Sequence, residues 1–166
     1  MPYIHSFGPL IDHDSRVLIL GSMPGKASLE KGQYYAHPLN KFWALVYSNF
    51  DLPPHSLYED RIAFLKSRKI AMWDVINQCE RSGSSDSKIF NPVTNDLEKL
   101  VVQHPNLKYI LFNGKTAEKL FIRNIKGKIS TGIAFITLPS SSPANAGVSL
   151  VQKLEKWGVI KALVNP

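Results

Sequence analysis

The chain has 166 residues and a formal net charge of +7, and 44% of its residues are hydrophobic. This length supports one compact domain, spanning residues 1–166, and is too short for two full domains. The single cysteine excludes a disulfide framework and a cysteine-rich zinc or iron–sulfur site within one chain. The sequence has no signal-peptide pattern and no apolar stretch of membrane-spanning length, so we expect a cytoplasmic protein with no membrane partner. The positive charge suits an anionic partner but does not by itself identify nucleic acid.

Four apolar segments predict the strands of a sheet. The first, Arg16–Leu20, lacks alternating polar residues, which is typical of a central strand that is buried on both faces of a parallel sheet. The others are Arg68–Val75, Lys108–Phe112 and Ala134–Leu138. Residues before Arg16 are interpreted as an irregular lead-in, because Gly8-Pro9 interrupts regular structure.

Segments with helical spacing of apolar residues lie between and after these strands. They predict helices at 42–50 and 57–65, from Thr94 or Asn95 onward, at 116–121 and after Gly147. Strands that alternate with helices in this way favour parallel pairing and an α/β fold.

A glycine-rich loop, Gly21–Gly25, directly follows the first predicted strand. In open α/β sheets the carboxyl ends of the strands are where ligands bind, and exposed backbone N–H groups there suit phosphate or a base edge. The chain then continues into Gln33–Trp43, which combines two tyrosines, a histidine and an asparagine around one proline. Buried polar side chains need partners, so this density favours a functional site over a purely structural loop.

Two further strand ends carry polar side chains whose roles the sequence leaves open. Asp74 either orients a turn or takes part in chemistry. The Asn113 amide carries donors and an acceptor on one plane, as reading a nucleobase edge requires, but it also suits a turn before Gly114. The serine-rich run at 82–88 predicts a surface loop beside the crevice.

The segments Gly21–Gly25, Tyr34–Trp43 and Leu138–Asn145 resemble the paired motifs of the uracil-DNA glycosylase superfamily. The closest resemblance is to its hypoxanthine-DNA glycosylase branch, also called DNA-deoxyinosine glycosylases. It implies a three-layer α/β/α fold with a central, mostly parallel four-stranded sheet. It also implies a DNA repair enzyme that flips a deaminated base, above all hypoxanthine in deoxyinosine, out of the stack and excises it to leave an abasic site.

The resemblance also assigns roles to individual residues. Tyr35 corresponds to the aromatic residue that stacks on the extruded base. Met23 stands where many members have a water-holding Asp or Asn, and in the hypoxanthine branch the asparagine that matches Asn40 is implicated instead. We therefore expect Asn40 to be catalytic and His37 to donate to the leaving base. The competing interpretation is that both residues only brace the loop and cap the next helix.

The remaining site residues belong to the two motifs and to one strand end. Residues expected to bind the base are Gly21, Ser22, Met23, Pro24, Gly25, Tyr35 and Asn113. Residues expected to contact DNA are Ser140, Ser141 and Ser142 at phosphates, and Pro143, Ala144 and Asn145 as a tip that enters the duplex.

The sequence leaves the identity of the base and the presence of catalysis open, and it also indicates which chemical groups the site does not use. The base could be uracil or a mismatched pyrimidine, or the chain could be a non-catalytic DNA-binding module. No lysine near the site lies in an evident apolar pocket, so we expect a monofunctional enzyme without a Schiff-base step. We expect no metal, no cofactor and a monomer.

Overall fold

A computed structural model describes residues 3–129 and 132–165. In these residues the strands are β1 (Tyr3–His5), β2 (Val17–Gly21), β3 (Ile70–Asp74), β4 (Ile76–Glu80), β5 (Phe90–Thr94), β6 (Tyr109–Asn113) and β7 (Ala134–Leu138). The helices are α1 (Lys26–Lys31), α2 (Phe42–Ser48), α3 (Tyr58–Ser67), α4 (Leu97–Gln103), α5 (Lys115–Asn124), α6 (Leu150–Trp157) and α7 (Ile160–Val164). None of the helices within these residues is both long and apolar enough to cross a membrane.

The main sheet has four parallel strands in the order β3-β2-β6-β7. All five residues of β2 are buried, because strands cover both its edges and helices cover both its faces. The predicted central, parallel four-stranded sheet is therefore confirmed. Its register places Gly21 beside Asp74 and Asn113 beside Leu138, so these strand ends meet at one edge of the sheet.

Two hydrophobic clusters cover the opposite faces of the main sheet. Val17 and Ile19 pack with residues of α2, α3, α6 and α7, whereas Leu18 and Leu20 pack with residues of α4 and α5. Side chains that alternate along β2 therefore face different helical layers. The three-layer α/β/α arrangement expected from the resemblance is confirmed.

A second, antiparallel sheet was not predicted from the sequence. It has the order β1-β4-β5, and β1 pairs with β4 in the segment that was expected to be an irregular lead-in. That expectation was wrong, because a three-residue strand gives too short a pattern to recognise. Strand β5 contains Pro92. An edge strand tolerates proline, but a proline within a segment makes a strand hard to predict from the sequence. The β4–β5 connection carries the serine-rich loop toward the main sheet.

Most of the predicted helix boundaries differ from those in the structure by a few residues. Helix α4 begins at Leu97, since the Asp96 side chain accepts the N–H of Lys99 at 3.0 Å and caps the helix. The final helix is divided into α6 and α7 by a break at Gly158. Helix α1, which follows Gly25, was not predicted.

Candidate active site

A cleft of about 1260 Å³ opens at the carboxyl ends of the main sheet. Both sequence motifs line it, together with the serine-rich loop from the β4–β5 connection. The structure thus brings together all the residues expected to act in catalysis, base binding and DNA binding: Gly21, Ser22, Met23, Pro24, Gly25, Tyr35, His37, Asn40, Asn113, Ser140, Ser141, Ser142, Pro143, Ala144 and Asn145.

Gly21 ends β2 in a place where no other residue fits without a shift. A Cβ atom at this position would lie 2.5 Å from Oδ1 of Asp74 and 3.0 Å from the hydroxyl of Tyr35. The glycine therefore allows a carboxylate and a phenol to approach the backbone of the central strand closely. This packing brings β2, β3 and the first motif together at the inner wall of the cleft.

Tyr35 adopts the left-handed conformation, with φ of 53°, and its ring stacks on Phe42. The ring centroids are 3.9 Å apart and the rings are nearly parallel, at 13°. Phe42 is fully buried at the start of α2 and fixes Tyr35 from the core side. Burial and then the nearby Asp74 charge raise the pKa of Tyr35, so its hydroxyl stays neutral and can donate a hydrogen bond.

Asn113 joins the two motifs through its side-chain amide. Its Nδ2 donates to the Tyr35 hydroxyl at 3.2 Å and to Ser141 Oγ at 2.9 Å, and its Oδ1 accepts the Ser141 N–H at 2.9 Å. Both ends of the amide therefore have protein partners. Reading a base edge through Asn113 stays a prediction, and it would require the amide to share or exchange these partners.

His37 and Asn40 are held by hydrogen bonds within their own loop. The N–H of Leu39 donates to His37 Nδ1 at 3.1 Å, and Asn40 Oδ1 accepts the N–H of Phe42 at 2.9 Å at the start of α2. The contacts of the bracing and capping interpretation are thus present. His37 Nε2 and Asn40 Nδ2 have no hydrogen-bond partner among the described residues, so both remain available in the cleft.

The hydroxyls of the second motif differ in accessibility. Ser141 is 1% exposed and its Oγ accepts from Asn113, so the phosphate contact expected for it would require the loop to open. Ser140 and Ser142 are partly exposed, whereas Pro143 and Ala144 at the tip are exposed. The N–H of Lys41 donates to the Ser141 carbonyl at 3.0 Å, which links the first motif directly to the second.

Asp74 and Asp86 place two carboxyl groups on the inner wall of the cleft. Asp74 is 3% exposed, and burial, then the Asp86 charge, raise the pKa of Asp74 to about 7, while Arg81 partly offsets the rise. Asp86 accepts the Ser22 hydroxyl at 2.8 Å. Asp86 was not predicted from the sequence as a site residue. It lies in the loop that joins β4 and β5, and only the pairing of these strands brings this loop to the first motif.

Arg81 fastens the serine-rich loop to the first motif through two backbone carbonyls. Its Nη2 donates to the Pro24 carbonyl at 2.5 Å and its Nε to the Gly83 carbonyl at 3.0 Å. The N–H of Lys26 donates to Ser84 Oγ at 2.8 Å. The loop therefore forms a fixed side of the cleft.

Comparison with known proteins places the chain in a family. The family described as the "Uracil DNA glycosylase superfamily" matches residues 9–163. The chain belongs to this superfamily. It is 37% identical over 157 residues to a hypoxanthine DNA glycosylase of Methanosarcina acetivorans, covering 93% of this chain and 95% of the relative.

Two further similarities agree with this placement. The chain is 44% identical over 110 residues to a hypoxanthine DNA glycosylase of Methanosarcina barkeri, covering 66% of this chain and 70% of the relative. It also matches a solution NMR structure from Methanosarcina acetivorans, provisionally described as a uracil DNA glycosylase, with a TM-score of 0.84 and 35% identity. That match covers 98% of this chain and 99% of the other.

Met23, which the resemblance matches to a water-holding Asp or Asn, has a structural role. Met23 is 7% exposed and packs against Ile76 and Cys79, so it serves a small hydrophobic cluster beneath the loop. A thioether there cannot hold a water as a carboxylate or amide would. Among residues 3–129 and 132–165, no three His, Cys, Asp or Glu side chains are grouped so that they could bind a metal ion.

Proposed function

We propose that this chain is a monofunctional DNA glycosylase that excises hypoxanthine from deoxyinosine and leaves an abasic site. The main observation in support is that both superfamily motifs line one cleft. Polar groups of His37 and Asn40 are available in this cleft. The names of the two Methanosarcina relatives support hypoxanthine as the base. The chain acts as one domain, and we expect a monomer in the cytoplasm.

Tyr35 provides the surface on which the flipped base stacks. A base can enter the cleft only after it leaves the duplex stack, and an aromatic ring partly restores the stacking energy that it loses. The Phe42 ring holds Tyr35 in place from behind. Ser140 and Ser142 contact the DNA phosphates, while Pro143, Ala144 and Asn145 enter the duplex.

Asn40 positions the water that attacks the sugar. Its Oδ1 accepts the N–H of Phe42 with one lone pair, and the second lone pair can accept a hydrogen from water. This hydrogen bond turns the water oxygen toward C1′ as positive charge develops on the sugar. The cap at α2 fixes the amide, so capping and catalysis use the same side chain.

His37 stabilises the departing base. Because Nδ1 accepts the N–H of Leu39, the proton of the neutral ring resides on Nε2. An Nε2–H group in the cleft donates a hydrogen bond to the base, which becomes negative as the N-glycosidic bond breaks. The base anion then takes up the proton that the attacking water loses as its oxygen bonds to C1′.

The test measures alkali-revealed strand cleavage of labelled duplexes that carry one deoxyinosine, deoxyuridine or deoxyxanthosine. The native protein is expected to release hypoxanthine preferentially, and Asn40→Ala to be slower by about 100-fold. Asn40→Ser keeps an oxygen that can cap α2 but lacks the amide, so it separates catalysis from capping. Asn106→Ala, at the opposite edge of the sheet, is the control, since the Asn106 side chain donates a hydrogen bond to the His13 carbonyl, away from the cleft.

One observation favours a second candidate function. The burial of Met23 in a hydrophobic cluster removes the group that many superfamily members use in catalysis, which fits a non-catalytic DNA-binding module. Retained DNA binding without release of any base would establish that function. Preferential release of uracil would instead change the proposed substrate and leave the enzyme class intact.

A further inference from the structure

Each of the two motifs contains a four-residue turn, and the two turns are built alike. The first turn, His37–Asn40, is closed by a hydrogen bond of 3.0 Å from its last N–H to its first carbonyl. The second turn, Ser142–Asn145, is closed in the same way at 3.1 Å. In both turns proline is the second residue, where its fixed φ suits the turn, and asparagine is the fourth.

Further hydrogen bonds fix both turns and join them to each other. In each turn the first side chain accepts the N–H of the third residue, which is Leu39 in the first turn, at 3.1 Å, and Ala144 in the second, at 3.2 Å. The N–H of Lys41, directly after the first turn, donates at 3.0 Å to the carbonyl of Ser141, directly before the second. The two turns therefore lie side by side at the cleft as rigid units.

The third residues of the two turns differ greatly in size. Leu39 is 59% exposed, so most of its isobutyl group lies in solvent. Ala144 is exposed as well, but it carries only a methyl group. Single exposed leucines are common on protein surfaces. This one, however, is held on a rigid turn whose two end residues, His37 and Asn40, line the cleft.

A nucleotide that leaves the duplex opens a gap in the base stack, and proteins commonly fill such gaps with apolar side chains. The methyl group of Ala144 is too small to fill the gap alone, whereas the isobutyl group of Leu39 is large enough. Lys41, which is exposed directly after the first turn, suits a phosphate beside the gap. We propose that Leu39 enters the base stack as a wedge, beside the second turn, and keeps the target nucleotide flipped. The inference rests on the proposed function, since it requires a flipped base.

The first test follows single-turnover release of hypoxanthine from a labelled duplex that carries one deoxyinosine. Leu39→Ala is expected to be slower by about 10- to 100-fold, because the apolar group that fills the gap is lost. Leu39→Met keeps a long apolar side chain and is expected to stay close to the native rate. Leu57→Ala is the matched control, since Leu57 is 61% exposed but lies directly before α3, outside both motifs.

Two further substrates distinguish a wedge from a residue that only supports its loop. A pyrene nucleotide opposite the deoxyinosine fills the space of a base pair, so it is expected to restore the rate of Leu39→Ala but not that of Asn40→Ala. Single-stranded DNA has no base pair to open, so Leu39→Ala and the native protein are expected to release hypoxanthine from it at similar rates. A role in loop support would instead slow Leu39→Ala on all three substrates.

A binding measurement separates failure of this inference from failure of the proposed function. The base analogue 2-aminopurine, placed next to the deoxyinosine, becomes more fluorescent when its neighbour leaves the stack. Saturating native protein is expected to raise this fluorescence, and Leu39→Ala to raise it less. If the native protein raises the fluorescence more than Leu39→Ala does but releases no base, the proposed function fails and the wedge stands.

Three results would overturn the inference while native excision persists. The first is an unchanged rate of Leu39→Ala on the deoxyinosine duplex. The second is equal slowing of Leu39→Ala on the plain duplex, the pyrene duplex and single-stranded DNA. The third is an equal rise in 2-aminopurine fluorescence with the native protein and with Leu39→Ala, and this result overturns the wedge even if no base is released.

Discussion

Asn113 shows how one side chain can connect a base platform to a DNA-binding loop. It bonds to the Tyr35 hydroxyl and to both the N–H and the Oγ of Ser141, so its loss leaves several polar groups without partners. We expect Asn113→Ala to lower the free energy of unfolding by about 1–3 kcal/mol, because unsatisfied buried groups are destabilising. In a domain of this size the melting temperature should fall by roughly 2–4 °C for each kcal/mol.

The measurement is thermal unfolding of Asn113→Ala, with Asn106→Ala as the control for loss of an asparagine elsewhere. A residue whose only role is to read a base would leave the melting temperature of the DNA-free protein unchanged. That result would contradict the bridging role and return Asn113 to the base-reading role predicted from the sequence.

Asp74 should also make stability depend on pH. Its pKa is about 7 in the folded protein and near 3.8 ordinarily, so between these values the folded state holds a proton that the unfolded state has lost. The free energy of unfolding should therefore fall as pH rises through this window, by up to about 1.4 kcal/mol per pH unit from this group. Asp74→Asn should remove that contribution.

Urea unfolding of both proteins at about pH 5 and about pH 8 checks this expectation. Asp74→Asn should gain stability relative to the native protein at the higher pH. Equal pH dependence of the two proteins would mean that Asp74 is ionised throughout, contrary to its burial beside Asp86.

At the residue scale, the sequence predicted which residues line the cleft, but it did not predict their hydrogen-bond partners. Tyr35, His37 and Asn40 could be selected because a recognisable motif places them together in the chain. The hydrogen bond between Ser22 and Asp86 joins residues 64 positions apart. It depends on the antiparallel pairing of β4 and β5, which the spacing of apolar residues does not predict. Likewise, the burial of Ser141 follows from its pairing with Asn113 across the sheet edge, which residue types alone do not specify.

At the element scale, the end of β2 depends on the absence of a side chain. We expect Gly21→Ala to displace the Asp74 carboxyl group or the Tyr35 hydroxyl, since the new Cβ would lie 2.5 and 3.0 Å from them. Steric overpacking of this kind lowers the free energy of unfolding by about 1–3 kcal/mol. If the proposed function holds, excision of the base should also slow, because both displaced groups line the cleft.

Gly8→Ala is the matched control, because no atom of the described residues lies within 4 Å of a Cβ atom at Gly8. Thermal unfolding and single-turnover excision are measured on both variants. Equal melting temperatures and rates for Gly21→Ala and the native protein would show that β2 and β3 can separate enough to accept a methyl group, and would contradict a fixed inner wall.

The predictability of each strand follows from its length and its sequence pattern. Strands β2, β6 and β7 are continuous apolar or β-branched runs between helical segments, and the sequence located them within one or two residues. Strands β1 and β5 lie in the smaller sheet, where β1 is very short and β5 is mostly exposed. Their pairing depends on tertiary contacts with β4, so local patterns give little signal for them.

At the scale of the whole molecule, the chain has a net charge of +7, and few of its basic side chains form ion pairs in the described part of the chain. In the described part of the chain the only charged pair within salt-bridge distance is His13 with Asp14, on the exposed side away from the cleft. The lysines and arginines therefore remain available to displace counterions from a DNA backbone. Among them Lys153 stands out, because it is 5% exposed and lies beside the second motif.

Lys153 is expected to bind a DNA phosphate as well as brace the loop. Its Nζ donates to the Ser142 carbonyl at 3.3 Å, and burial and the nearby Lys41 charge lower the pKa of Lys153. An anion between the two lysines would relieve their repulsion. Lys153→Gln keeps a donor for the Ser142 carbonyl but removes the charge, so binding should weaken and the slope of log K against log salt should decrease by about 0.9.

Fluorescence anisotropy of a labelled duplex at several salt concentrations measures this slope. Lys161→Gln is the control, since Lys161 is exposed on α7, whereas Lys153 bonds to the second motif. Its slope should decrease by less than that of Lys153→Gln. If Lys153→Gln and the native protein have the same slope, Lys153 contributes only its hydrogen bond to Ser142. The positive charge that attracts DNA would then reside on the exposed lysines and arginines around the cleft.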